Sequence, residues 1–190
     1  MEEGNLALEK RYTYADYASW GDDTRWELID GVPYAMSAPS EMHQRIVSRL
    51  CGQFYAYLRG KKTCEVYVAP FDVRLNYYKG DDTVIQPDIV VVCDNTKRHA
   101  GGCLGAPDLV VEILSPSTAK MDRIVKFNKY MRDGVKEYWV VDPDTESLHV
   151  HLLKEGTYYA TSAYEDTDTV SVGILPGCEI NLADVFEPMV

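Results

Sequence analysis

Two short, nearly continuous apolar runs constrain this fold more than any other feature: Ile89-Val90-Val91-Val92 and Leu109-Val110-Val111-Glu112-Ile113-Leu114. Their length and β-branched content suit strands, and the lack of alternation means that each strand is covered on both faces. A third run, Glu137 to Val141, has the same character. Helical spacing appears between Ser40 and Leu58, where Ile46, Val47, Leu50, Phe54, Tyr57 and Leu58 fall on one side and Ser40 is an N-cap. A second helix is predicted from Ala119 to Arg132, stopped by Gly134. Asp30-Gly31 is a strong turn signal joining Trp26–Ile29 to Pro33–Ser37 as a hairpin. A short helix from Tyr14 to Trp20, capped by Thr13, precedes it, and strands at Cys64–Ala69 and Phe71–Asn76 follow the long helix. After Asp142 the chain reads as short polar strands at Leu148–Leu153, Tyr158–Ser162 and Val170–Val172. The order predicts an α/β sandwich around a mixed sheet, with β additions at both ends. No linker, repeat or low-complexity tract divides residues 1–190, which are read as a single domain.

The five cysteines are odd in number, far apart and without metal or redox spacing, which reads as reduced thiols in a cytoplasmic protein. The N-terminus lacks the basic-then-apolar order of a secretory leader, and no apolar run is long enough for a membrane span. A formal charge of −11, from 30 acidic and 19 basic residues, weighs against nucleic acid as a partner. Whole-chain charge governs long-range steering, however, and a local cleft can differ from it, above all with a cation bound.

Asp88 and Glu112 stand inside these apolar strands, where a carboxylate is costly to bury unless something pairs with it. On neighbouring strands the two can converge on one point, as a hard cation such as Mg²⁺ requires of a protein that leaves other positions to water and phosphate. Asp108 is a rival, but four residues of extended strand separate it from Glu112 by about 13 Å, too far to share one small ion. It is read as the start of its strand.

The segments QPDIVVV, GAPDLVVEILSPST and DRIVKFNKYMRDGVKEYWVVDP, with WELIDG and SAPSEMHQRIVSRL upstream, resemble the Uma-type restriction-endonuclease family of bacteria, within the restriction-endonuclease-like nucleases. The resemblance runs from about Trp26 to Pro143. It implies a core of helix, three strands, helix, strand, and hydrolysis of a DNA phosphodiester with Mg²⁺ or Mn²⁺. It also implies a homodimer. In that family's signature Asp88 takes the place of the aspartate and Glu112 that of the second acid. Leu114 stands where the superfamily has its lysine, and the resemblance assigns that role to Lys126. Periodicity at about 100° per residue puts Lys126 opposite Met121, Ile124, Val125, Phe127 and Met131, so a solvated lysine is the simpler reading of the helix alone. Lys120 and Lys129 remain possible substitutes.

Glu27 matches a further acidic position and is a candidate third metal ligand, or else a charge at a strand edge. His43 and Gln86 are candidates for a supporting or substrate-facing role. Ser115, Ser117 and Thr118 lack a nucleophile elbow and are read as capping residues. His149 and His151 share a strand face without a third ligand, and Tyr130, Tyr138, Trp139, Tyr158 and Tyr159 read as core and sheet surface. A non-catalytic binding protein of nuclease fold, or a phosphohydrolase acting on RNA or small nucleotides, is the competing reading.

Overall fold

The computed structural model describes residues 10–21 and 24–188. Most of the N-terminal stretch read for a leader lies outside them. Thr13 starts α1 (Tyr14–Tyr17), with its N–H and hydroxyl both donating to the Asp16 carboxylate. The helix is shorter than predicted, and Trp20 instead packs edge-on against Tyr12 and Trp26. β1 (Trp26–Ile29) and β2 (Val32–Ala35) form the predicted hairpin. Asp30 and Gly31 both adopt positive φ, 50° and 76°, the geometry for which Asp-Gly is favoured. α2 (Glu41–Leu58) begins at Ser40, whose side chain accepts the His43 N–H.

The chain continues through β3 (Glu65–Val68), β4 (Val73–Arg74), β5 (Val84–Ile85), β6 (Ile89–Val92), β7 (Arg98–His99), β8 (Gly102–Leu104) and β9 (Leu109–Ile113). A π-helical stretch, Met121–Lys126, then leads into α3 (Phe127–Asp133), which Gly134 ends in the left-handed conformation. The remainder is β10 (Glu137–Asp142), β11 (Ser147–Lys154), β12 (Thr157–Tyr164), β13 (Thr169–Ser171), β14 (Glu179–Asn181) and α4 (Leu182–Phe186).

The central sheet runs β12-β11-β10-β9-β6-β3. β9 and β10 are parallel, as a helical crossover demands, and the other neighbours are antiparallel. The fold is thus α/β with a mixed sheet, and the predicted order of helix, three strands, helix, strand is α2, β3, β6, β9, α3, β10. Ile89, Val91, Leu109, Val111, Ile113 and Trp139 pack on one face against α2, α4 and the β13-β14 pair. Val90, Val92, Val110, Tyr138 and Val140 pack on the other against α3 and the small sheet β2-β1-β5-β4-β8-β7. Each central strand is buried on both sides, which explains its unbroken apolar run.

Three expectations are corrected. The strand predicted at Phe71–Asn76 shrinks to Val73–Arg74. Of the polar strands after Asp142, β11 and β12 are longer than expected, at eight residues each, and extend the central sheet, while β13 is short. Cys64 and Cys93 are bonded, because they stand opposite each other just beyond the paired ends of β3 and β6, Glu65 and Val92; Cys51, Cys103 and Cys178 are free. No helix among the described residues is long and apolar enough to cross a membrane.

Candidate active site

The β6–β9 register pairs Ile89 with Val111, and one step further places Asp88 opposite Glu112. Directly opposed residues point to the same face. Strand register therefore puts the two residues side by side on one face of the sheet. Asp88 sits at the edge of β6, with Oδ2 accepting the Ile113 N–H at 2.7 Å and lying 3.2 Å from His43 Nε2. Glu112 lies in the middle of its strand, 3 % exposed, and its Oε1 accepts from Tyr130 Oη at 2.6 Å and Lys126 Nζ at 3.1 Å. Asp88 Oδ1 and Glu112 Oε2 take no protein hydrogen bond among the described residues.

Lys126 is not solvated. Only 4 % exposed, its Nζ lies 3.0 Å from Glu27 Oε1, 3.1 Å from Glu112 Oε1 and 3.3 Å from Asp122 Oδ1. The buried face of the helix is its polar one, with Asp122, Lys126, Lys129 and Tyr130 buried and Ile124 of the apolar set 52 % exposed, and i→i+5 bonding widens the turn here. The opened turn also lets the Asp122 carbonyl accept both the Phe127 N–H and the Tyr138 phenol. Of the other two lysines, Lys120 is exposed and Lys129 pairs with Asp30 at the hairpin turn.

Glu27 reaches the cluster from β1 and also accepts the Gln86 N–H at 2.9 Å. Two residues went unseen in the sequence as site members, Asp122 and Tyr130. The signal was present, because Asp122, Lys126 and Tyr130 form an i, i+4, i+8 polar row on one helix.

Burial opposes charge on Lys126, yet Glu112, Glu27 and Asp122 together outweigh it and hold the ammonium protonated. Burial pushes the Glu112 carboxyl well up, with Lys126 pulling the other way. Asp122 is also raised by burial, with Lys126 and Thr118 opposing. For His43 burial favours the neutral ring, but hydrogen bonding and charge from Asp88 prevail and raise its pKa.

Asp108 stands apart, as predicted. Its carboxylate accepts the Cys93 N–H at 2.7 Å and pairs with Lys136 at 2.6 Å. Ser115 and Thr118 bond each other and the Thr118 N–H, which is capping chemistry. His151 packs among Phe127, Tyr138 and Tyr158 rather than forming a metal site.

The cluster opens into a cleft of about 580 Å³. Glu27, Asp88, Glu112, Asp122 and Asp144 line it, against Arg25, Lys126 and His43. The cleft is acidic, as the whole chain is. Among the described residues no group of three or more His, Cys, Asp or Glu side chains is arranged to hold a metal. Glu27, held through Oε1, likewise keeps Oε2 free of a protein hydrogen bond among the described residues, and the pair opposed on one sheet face is Asp88 and Glu112, each with one such oxygen. That donor set fits Mg²⁺, which keeps several waters and takes one or two carboxylates.

The Uma2 family, described as "Putative restriction endonuclease", matches residues 13–183. An uncharacterized protein, slr1290, of Synechocystis sp. (strain ATCC 27184 / PCC 6803 / Kazusa) is 28% identical over 160 residues, covering 83% of this chain and 82% of that protein. The crystal structure of a "putative nuclease belonging to DUF820" from Anabaena variabilis ATCC 29413 superposes with a TM-score of 0.74 at 18% identity, over 92% of this chain and 97% of that one.

Proposed function

The chain belongs to the Uma2 family, and from that premise we propose that it is a divalent-metal-dependent endonuclease that hydrolyses phosphodiester bonds in DNA. One observation carries the reading: a buried lysine, Lys126, bonds Glu112 on the sheet face that Asp88 shares. This is the set of groups that metal-assisted phosphodiester hydrolysis asks for, although the lysine comes from the helix rather than from β9.

Asp88 and Glu112 would hold Mg²⁺ or Mn²⁺. When bound, the ion supplies an activated water and neutralises charge on the phosphate. Lys126 presents an ammonium beside Glu112, where it orients the nucleophile and offsets charge that develops on the phosphate oxygens. Glu27 and Asp122 fix that ammonium from two further sides. Tyr130 fixes the Glu112 carboxylate and His43 the Asp88 carboxylate, so both acids are oriented before substrate arrives. Glu27 serves here by holding Lys126, with metal ligation as its lesser role.

The acidic lining favours a second reading, a non-catalytic binding protein, because an unmetallated cleft of this charge repels phosphate. A bound divalent ion offsets that repulsion, which is why the proposed activity depends on metal. The proposal includes one domain and a homodimer whose interface is drawn from the β1–β2 hairpin and the C-terminal strands, among them the edge strand β12, with both clefts left open. Incubation of DNA and RNA with Mg²⁺ or Mn²⁺, beside Glu112→Ala, tests the proposal. Cleavage of DNA by the wild type alone supports it. Metal-independent cleavage, or activity that survives in the variant, contradicts it.

A further inference from the structure

Among the described residues Arg25 is the one permanent cation of the cleft wall without a carboxylate partner. Lys126 gives its charge to three acids. Arg25 instead donates Nε and Nη2 to a neutral acceptor, Gln86 Oε1, at 3.2 and 2.8 Å. Among the described residues no carboxylate offsets the charge of this half-buried guanidinium. It stands in a cleft whose other strong cation is already neutralised.

The Gln86 side chain is fully committed in holding that arginine. Its Nε2 donates to Tyr17 Oη and to Asp72 Oδ1, both at 2.9 Å, and Tyr17 Oη donates to Asp72 Oδ1 at 3.0 Å. Both amide N–H groups and both lone pairs of Oε1 are thereby used. The Asp72 carboxylate behind the amide dictates which end faces Arg25, since the amide oxygen cannot turn toward it. The side chain, in a residue 8 % exposed, therefore has no capacity left for substrate. The Gln86 backbone N–H bonds Glu27 Oε1, the atom that also touches Lys126. Arg25 is thus tied through one residue to the lysine cluster.

Two of the five guanidinium N–H groups are committed, which leaves three, including both on Nη1. Their natural complement is an oxyanion taken side-on, and phosphate fits the planar fork best. The geometry points to Arg25 as a phosphate-binding residue of this cleft, with Gln86 as its positioning residue. It takes a substrate phosphate other than the one at the Asp88–Glu112 centre. This inference rests on the phosphodiester reading, and its test separates the two.

Binding of a short labelled DNA duplex is measured by anisotropy over a salt series, with Ca²⁺ replacing Mg²⁺ so that binding is read without turnover. Arg25→Ala is expected to weaken binding about tenfold or more and to flatten the slope of log K against log salt by about one. Arg25→Lys keeps a charge but loses the fork and falls between. Gln86→Ala weakens binding while keeping the salt slope nearer the wild type. The Mg²⁺-dependent rise in melting temperature stays unchanged in Arg25→Ala, a readout that a folding defect would move. If the wild type does not bind the duplex, the nucleic-acid reading fails and inorganic phosphate carries the test. A phosphate-dependent rise in melting temperature that is lost in Arg25→Ala then upholds the subsite. Should Arg25→Ala fail to fold, Arg25→Lys decides on the same readouts. Equal behaviour of variant and wild type toward both probes, or no response of the wild type to either, overturns the inference.

Discussion

Lys126 meets Glu112 across 14 positions of sequence, with Nζ 3.1 Å from Oε1, at the last residue of a π-helical stretch. Both groups are almost wholly buried. Glu27 and Asp122 lean on the same ammonium, so one cation serves three acids. Removing that cation strands charges in a low-dielectric site, which costs far more than an exposed pair would.

Lys126→Met is therefore expected to lower unfolding stability by about 3–5 kcal/mol in urea titrations at neutral pH. Glu112→Gln in the same chain should restore part of the loss, giving a favourable coupling of about 1–3 kcal/mol in the double-mutant cycle. Strict additivity would mean that the ion pair is not what holds the cluster.

Mg²⁺ should raise the melting temperature by mass action on the folded state, by about 2.7 kcal/mol of stability at a hundredfold excess over Kd. Asp88→Asn and Glu112→Gln should each remove most of that rise. A response shared equally by wild type and both variants would assign the carboxylates a purely structural role.

Asp108→Ala should cost stability without touching the metal response. Its partner Lys136 is 64 % exposed, so that ion pair contributes little. The loss comes from the Cys93 N–H, left without its acceptor at the junction of two central strands, and amounts to about 1–3 kcal/mol. Asp108→Asn keeps a carbonyl oxygen there and should cost less. An altered Mg²⁺ response in Asp108→Ala would return this residue to the site.

Burial pushes the Cys103 and Cys178 thiols up from 9.0 to about 11 and holds the Tyr130 and Tyr138 phenols well above their ordinary 10.0. A folded-state pKa above the unfolded value means stability that is complete below the unfolded pKa and lost as pH rises through the folded one. Melting temperature should hold up to about pH 9 and then fall steadily through pH 11. Ultraviolet difference spectra should show the buried tyrosinates only as the chain unfolds. Full phenol ionisation in a chain that stays folded would contradict the burial assigned to these rings.

Sedimentation at micromolar concentration should give a species of twice 21.5 kDa, the mass of one chain. A lone 21.5 kDa species would remove the dimer from the proposal, and a dimer that occludes Asp88 and Glu112 would remove the open cleft with it.

The sequence by itself determined whatever local periodicity and turn chemistry control. Central strands buried on both faces are unbroken apolar runs, so β6, β9 and β10 were legible together with the carboxylates that interrupt two of them. Asp30-Gly31, Ser40 and Gly134 act through their own backbone and neighbours, and each stands where its chemistry implied. Tertiary structure decided the rest, because it depends on contacts between distant segments. Glu27 on β1 and Glu112 on β9 hold Lys126 buried, against the solvated reading of its own helix. Gln86, open in sequence to many partners, found Arg25, Tyr17 and Asp72 on three other segments. The bond between Cys64 and Cys93 has the same origin, since only strand register brings opposite one another two thiols that are 29 positions apart.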